Sequence, residues 1–278
     1  MPELPEVETI TGQLARLVVG KKVASVQALW PKSLIGRGVN IEALIGRRIT
    51  AVTRRGKVVI ITLDGGVSIL VHLRMTGQLL YEEGARVQSR MTRALVNFED
   101  ATRLVFNDQR KFGSMTVVPT SAVGSDPLLS RMGPEPLGAD FDAVVLRAAL
   151  ARHPRQAIKA TLLDQATVAG IGNIYADEIL FSSGIHPETR SGDLNDGQVV
   201  QLAQSIIAIL AEGIATGGAT MRDYVDVGGA AGKYLDQARV FGRTGLACVA
   251  CGGPIVKTRV AGRGTHLCPI CQVAPSST

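Results

Sequence analysis

Val58-Val59-Ile60-Ile61-Thr62-Leu63 and Val67-Ser68-Ile69-Leu70-Val71-His72-Leu73 flank one turn signal, Asp64-Gly65-Gly66. Both runs are short, apolar and rich in β-branched side chains, which pack well on a pleated surface and lose rotamer freedom in a helix. Working outward, Val23–Leu29, Ile49–Thr53, Ala94–Phe98 and Arg103–Phe106 share this character. The reading is a mainly antiparallel β unit from Val23 to Val118, folded as two packed sheets.

The character changes on either side. Residues 3–19 place Leu4, Val7, Ile10, Leu14 and Leu17 at helical steps, with Gly20 as the stop. Beyond a Gly/Pro-rich linker at 124–136 the pattern turns helical again, over 141–152, 156–164, 172–182 and 196–216. Gly228–Gly232 is Gly/Ala-rich and reads as a mobile loop.

The chain has 278 residues, 46% of them apolar and only 4% aromatic, so its cores are aliphatic. The apolar runs named above are too short to cross a bilayer, and the acidic N-terminus does not read as a secretory signal. A net charge of +6 and a pI near 9.3 suit a polyanionic partner. The excess is concentrated: from Asp236 onward five basic residues (Arg239, Arg243, Lys257, Arg259, Arg263) face one acid.

That same region holds all four cysteines. Cys248-x2-Cys251 and Cys268-x2-Cys271, separated by sixteen residues, have the spacing of two knuckles around a tetrahedral four-thiolate zinc ion. Four protein ligands make such a site structural; disulfides or free thiols are the alternative. Between the knuckles, Pro254–Val260 and Thr265–Leu267 can pair as a hairpin, with Ala261-Gly262-Arg263-Gly264 as its turn and Arg263 turned outward toward a phosphate or a groove.

Three further features carry candidate chemistry. Met1-Pro2-Glu3-Leu4-Pro5-Glu6-Val7-Glu8 would, once Met1 is removed, present a secondary amine beside a carboxylate, the minimal kit for Schiff-base chemistry. Equally, Pro and Glu can simply open a helix. Gly170-Ile171-Gly172-Asn173 precedes a helix that Asn173 can cap, and whose N-terminal amides suit a phosphate; an ordinary packing turn is as good a reading. Lys57, Met75 and Arg110-Lys111-Phe112 sit at strand ends and turns, where such side chains can contact phosphate or fill the space left by an extruded nucleotide, although Met and Phe are more often core residues.

Together these stretches resemble the formamidopyrimidine-DNA glycosylase family. The resemblance rests on Pro2–Thr9, His72–Gly77, Asp108–Gly113, Gly133–Pro136, Gly170–Tyr175 and Gly262–His266, and so runs nearly end to end. Leu4, where the related endonuclease VIII type typically has Gly, favours the purine-directed branch over an enzyme for oxidised pyrimidines. The implied fold is α+β and multidomain. It comprises an antiparallel β-sandwich domain flanked by helices at 1–124, a linker at 125–138, a helix-two-turn-helix domain at 139–235 and a zinc finger at 236–278.

The resemblance also implies roles. Pro2 is the nucleophile, Glu3 the acid–base partner, Lys57 a proton donor and phosphate contact, and Arg263 a phosphate contact active in the last elimination. Met75, Arg110 and Phe112 fill the void in the duplex; Asn173 and Lys159 line the phosphate path; the loop from Thr220 to Lys233 closes over the flipped base. The partner is damaged double-stranded DNA, the cofactor one structural zinc held by Cys248, Cys251, Cys268 and Cys271, the protein a cytoplasmic monomer. The chain departs from the family at Arg90-Met91-Thr92-Arg93, where Met91 replaces a DNA-contacting histidine of relatives, and at His153, which stands where they carry another basic contact. A non-catalytic zinc-finger DNA-binding protein is the competing reading, and only the enzyme has a use for a free Pro2.

Overall fold

The computed structural model describes residues 1–84 and 87–275. They form two compact units, one of 1–130 with 217–232, the other of 131–216 with the chain from 233 onward.

The first unit opens with α1 (Leu4–Val18), whose apolar stripe Leu4, Val7, Ile10, Leu14 and Val18 is fully buried. Nine strands follow: β1 (Val23–Ala28), β2 (Leu34–Gly36), β3 (Ile49–Arg55), β4 (Val58–Leu63), β5 (Val67–His72), β6 (Gly77–Glu83), β7 (Thr92–Phe98), β8 (Thr102–Asp108) and β9 (Ser114–Pro119). They build one sheet in the order β1-β7-β8-β6 and a second in the order β2-β9-β5-β4-β3. Residues of both sheets and of α1 share one apolar cluster, from Val7 and Ile10 through Ile61, Ile69 and Phe106 to Val117. Burying such aliphatic surface at about 25 cal/mol per Å2 is the main force holding the two layers together. One pairing differs from the antiparallel expectation. The three-residue β2 runs parallel to β9, Leu34 opposite Met115; the two strands are far apart in the chain, so no hairpin fixes their relative direction.

The second unit contains α2 (Ala143–Leu150), α3 (Ile158–Leu163), α4 (Asn173–Ser182), α5 (Asp196–Ala215) and a hairpin of β10 (Val256–Val260) and β11 (Arg263–Leu267). Every residue of α4 from Ile174 to Phe181 is buried, so it is the unit's central helix. By length and composition α5 could span a bilayer, but Val199, Leu202, Ile206, Ile209 and Leu210 are buried where it packs on α2 and α4. It serves as a core helix here.

Packing groups two segments across the expected domain boundaries. The segment 217–232, read as part of the helical domain, belongs to the β unit, because α1 and β6 supply its hydrogen-bond partners: Gln13 receives Val227 N–H and donates to Asp226, while Tyr81 N–H donates to Val227 O. The cysteine module is continuous with the helices, sharing a small core of Phe181, Val240, Cys248, Ile255 and Cys268.

Candidate nucleic-acid interface and active site

In the β unit the N-terminal arm leads into α1 with Glu3 in an extended conformation at the N-cap. Pro2 and Glu3 are both buried. The Glu3 N–H donates to Glu6 Oε2 at 2.6 Å, so the turn that presents Pro2 is fixed by its own helix. The other Glu6 oxygen accepts the N–H of Ala219 at 2.7 Å. One buried carboxylate therefore ties the candidate nucleophile to the loop at 217–232.

That loop has more order than its composition suggests. Gly217 and Gly218 turn at φ of +73° and +87°, and a Cβ on Gly218 would collide with Glu6. Thr220 Oγ1 bridges the loop, donating to Tyr224 O and accepting from Gly232 N–H, and Tyr224 OH donates to Gly217 O at 3.0 Å. Asp226 folds the Gly/Ala-rich tip by accepting the N–H groups of Gly228 and Ala230. The composition alone pointed to a featureless stretch; short side chains acting on backbone groups organise it.

Lys57 lies in the two-residue turn joining β3 and β4, beside Gly56 at φ +53°, and is only 5% exposed. Arg54 links this turn to α1, donating to Glu8 at 2.6 Å and to Gly56 O at 3.1 Å. Next to it, burial and the positive charges of Arg74 and Lys57 bring His72 down to about 4. It is neutral at pH 7, as an acceptor must be: its Nδ1 takes the N–H of Arg74 at 3.0 Å. Met75 and Phe112 are exposed apolar side chains on two neighbouring loops, and the Arg110 guanidinium stacks over the Phe112 ring at 4.8 Å.

In the second unit Arg263 is exposed, as expected, but the turn is tighter than the sequence suggested. Val260 pairs with Arg263, leaving only Ala261 and Gly262 in the turn, at φ of +46° and +77°. Two positive φ values define the hairpin turn that suits strand twist, and this is why Arg263 begins a strand. Asn173 is the first residue of α4, not its cap, which is Gly172. Its Nδ2 donates to Gly264 O at 3.0 Å, tying α4 to the hairpin behind Arg263.

Lys159 requires a correction. Expected along a phosphate path, it is 0% exposed, and its ammonium donates to Asp177 Oδ1 at 2.6 Å, Gly264 O at 2.9 Å and Thr265 Oγ1 at 2.8 Å. An ammonium enclosed in this way supports the hairpin and cannot itself meet a phosphate in solvent. Asp177 completes the support by accepting His266 N–H at 2.9 Å. Glu178 beside it accepts the N–H groups of Arg239, Val240 and Phe241 at 2.8 to 2.9 Å, fixing the chain that enters the cysteine module; burial still pushes its carboxyl upward. Asp177 and Glu178 gave no sequence signal beyond two acids in an otherwise apolar helix.

The four cysteine sulfurs lie within 4.8 Å of one another, with Cys248 to Cys271 at 3.9 Å and Cys251 to Cys268 at 3.5 Å. Zinc–sulfur bonds of about 2.3 Å imply tetrahedral edges near 3.8 Å, whereas a disulfide needs about 2.05 Å. The donor set and its spacing fit zinc. Burial opposes ionisation of Cys248, yet N–H groups of Ala250 and Cys251 directed at its sulfur bring it down to about 7. Burial and the neighbouring thiols push Cys271 up to about 12. Four thiolates need a cation among them.

Family models match in three blocks: the formamidopyrimidine-DNA glycosylase N-terminal domain at residues 1–115, its H2TH domain at 132–225, and the zinc finger found in FPG and IleRS at 245–273. The chain belongs to the formamidopyrimidine-DNA glycosylase family. Among glycosylases of that name it is 42% identical to one from Listeria innocua over 98% of this chain and 100% of the relative. It is 41% identical to one from Desulfitobacterium hafniense over the same shares. Solved structures agree: the Lactococcus lactis glycosylase bound to abasic-site DNA has a TM-score of 0.88 at 37% identity, covering 98% of this chain and 100% of that one. The Thermus thermophilus enzyme has a TM-score of 0.87 at 40% identity, covering 98% of each. The formamidopyrimidine-DNA glycosylase fold, with its sheet domain, helical region and four-cysteine finger, thus spans the chain.

Proposed function

We propose that this protein is a DNA-repair glycosylase that excises oxidised purines, 8-oxoguanine and formamidopyrimidines, from double-stranded DNA and then cleaves the resulting abasic site. The observation that carries the proposal is the arrangement at the N-terminus: Pro2 at the head of α1, Glu3 beside it, and Glu6 holding the turn in place.

The chemistry follows from Pro2. With Met1 attached its nitrogen is an amide and inert; with Met1 removed it is a secondary amine. Its lone pair attacks C1′ of the damaged nucleotide while the bond to the base breaks and the base leaves with its electron pair. The proton of the attacking amine passes to the Glu3 carboxylate, which delivers it to O4′ as the sugar ring opens, and the departing base takes its proton from water. The adduct of a secondary amine is an iminium with a fixed positive charge, which acidifies C2′–H. Loss of that proton expels the 3′ phosphate, and a second elimination expels the 5′ phosphate. No redox partner is needed.

In the first unit Lys57 donates a proton and contacts a phosphate; in the second Arg263 contacts the phosphate near the lesion and acts in the last elimination. Met75, Arg110 and Phe112 occupy the vacated space in the duplex, with Arg110 facing the opposite base; Asn173 lies on the phosphate path; the 217–232 loop covers the extruded base. Lys159 is assigned to supporting the Arg263 hairpin. Cys248, Cys251, Cys268 and Cys271 hold one zinc, whose chemistry is structural. The protein works as a cytoplasmic monomer on chromosomal DNA.

Borohydride trapping tests the proposal. Met1-processed protein mixed with an 8-oxoguanine duplex and borohydride is expected to give a covalent protein–DNA adduct, and protein retaining Met1 to give none. No adduct from the processed protein would overturn it.

A further inference from the structure

The two loops that carry Met75 and Arg110-Lys111-Phe112 connect different strands, β5 to β6 and β8 to β9, yet they share one anchor. Asp108, 1% exposed, ends β8 opposite Gly77 at the start of β6. Its Oδ1 accepts the Thr76 hydroxyl and the Arg110 N–H at 3.2 Å; its Oδ2 accepts the Gly113 N–H at 2.7 Å. The Arg110 N–H also reaches Thr76 Oγ1 at 3.1 Å, so the loops are linked directly as well as through the carboxylate.

A third segment joins the same residue through its backbone. Asp108 N–H donates to Met91 O at 2.9 Å, and Asp108 O accepts from Arg93 Nε at 2.8 Å. Both loops also contain a non-glycine residue in the left-handed region, Arg74 at φ +54° and Lys111 at φ +60°. Such conformations persist only where surroundings over-determine them. Packing leaves no slack: a Cβ on Gly113 would lie 2.7 Å from the Phe106 ring, and one on Gly77 would lie 2.4 Å from Leu73 O.

We infer that Asp108 is a positioning residue that locks the two loops into one rigid wedge, so that Met75, Arg110 and Phe112 enter the duplex as a unit. This deepens the function proposed above and rests on it. A wedge must resist the stacked bases it displaces, and loops free to yield would lose both the extrusion of the damaged base and the reading of the base opposite. An abasic nucleotide has no base to unstack and makes a smaller demand on the wedge.

The test compares D108N and T76V with the wild-type protein, all full-length and Met1-processed. In D108N the new side chain cannot accept through its amide nitrogen, so either the Gly113 N–H or both the Thr76 hydroxyl and the Arg110 N–H lose their bond to it. The expected result for D108N is a loss of roughly tenfold to a hundredfold in single-turnover excision of 8-oxoguanine. Its ratio of rates opposite C and opposite A narrows, while incision of a preformed abasic duplex stays near the wild-type rate. T76V, which removes the hydroxyl's bonds to Asp108 and to the Arg110 N–H but leaves the carboxylate on Arg110 and Gly113, falls between; it decides the matter alone if D108N does not fold. Unchanged excision and base ratio in the variants, or excision and abasic incision falling in parallel, would overturn the inference. A wild-type protein inactive on both duplexes would instead sink the function on which it rests.

Discussion

The two units each contain an exposed tip that is organised from beneath by a buried carboxylate, and they do it differently. In the β unit Asp108 gathers two loops through N–H and hydroxyl donors. In the helical unit Asp177 is paired with the buried Lys159, and the pair grips the backbone of β11 behind Arg263. The difference teaches what each tip demands. Two loops from different strands need a common acceptor. A hairpin already paired with itself needs an attachment to its neighbouring helix, and the four cysteines fasten its other end.

The largest effect should come from the cysteines. A structural zinc of this kind contributes on the order of 10 kcal/mol to the fold around it. Chelation at neutral pH is expected to make 245–273 protease-sensitive and abolish DNA binding, while the β unit keeps its melting transition. Simultaneous loss of both transitions would show that the units do not fold separately.

Next comes the buried ion pair. K159A leaves Asp177 buried without its cation, which typically costs about 3–5 kcal/mol; K159M combined with D177L should recover much of this because both charges go together. Urea denaturation of the single and double variants measures the coupling. A double variant as unstable as K159A would mean that the attachment to Gly264 and Thr265 matters more than the charge.

D108A should cost less, about 1–3 kcal/mol for stranded donors, although its effect on excision is expected to exceed its effect on stability. Thermal melting set against excision rates separates the two.

The smallest effect at neutral pH belongs to His72. Its folded pKa of about 4 lies below the ordinary 6.5, because burial and the charges of Arg74 and Lys57 disfavour the imidazolium. Between these values the unfolded chain binds more protons than the folded one. Stability from this group is complete above pH 6.5 and is lost as pH falls toward 4. H72Q should barely change the melting temperature at pH 7 and should flatten its decline between pH 6.5 and 4; an unchanged decline would contradict the shift.

Much of the fold was legible because its signals are local. The runs 58–63 and 67–73 announced β4 and β5, and the cysteine spacing announced the finger. β6 was harder: in Gly77–Glu83 two adjacent leucines and two terminal glutamates give neither a period of two nor a helical stripe. Pro2, Glu3 and Arg263 stood out because their types are chemically unusual where they occur. Glu6 and Asp108 sat inside the recognisable motifs, and Asp177 just beyond one, without betraying a role, since an acidic side chain is ordinarily solvated and only tertiary structure shows what it accepts. Lys159 misled for the complementary reason: the resemblance set it on the phosphate path, and only its burial against Asp177 shows that it is enclosed.

The most direct test of the account is peptide mapping of the borohydride-trapped adduct. The nucleotide mass is expected on the N-terminal peptide, at the nitrogen of Pro2. An adduct on a lysine, Lys57 above all, would contradict it.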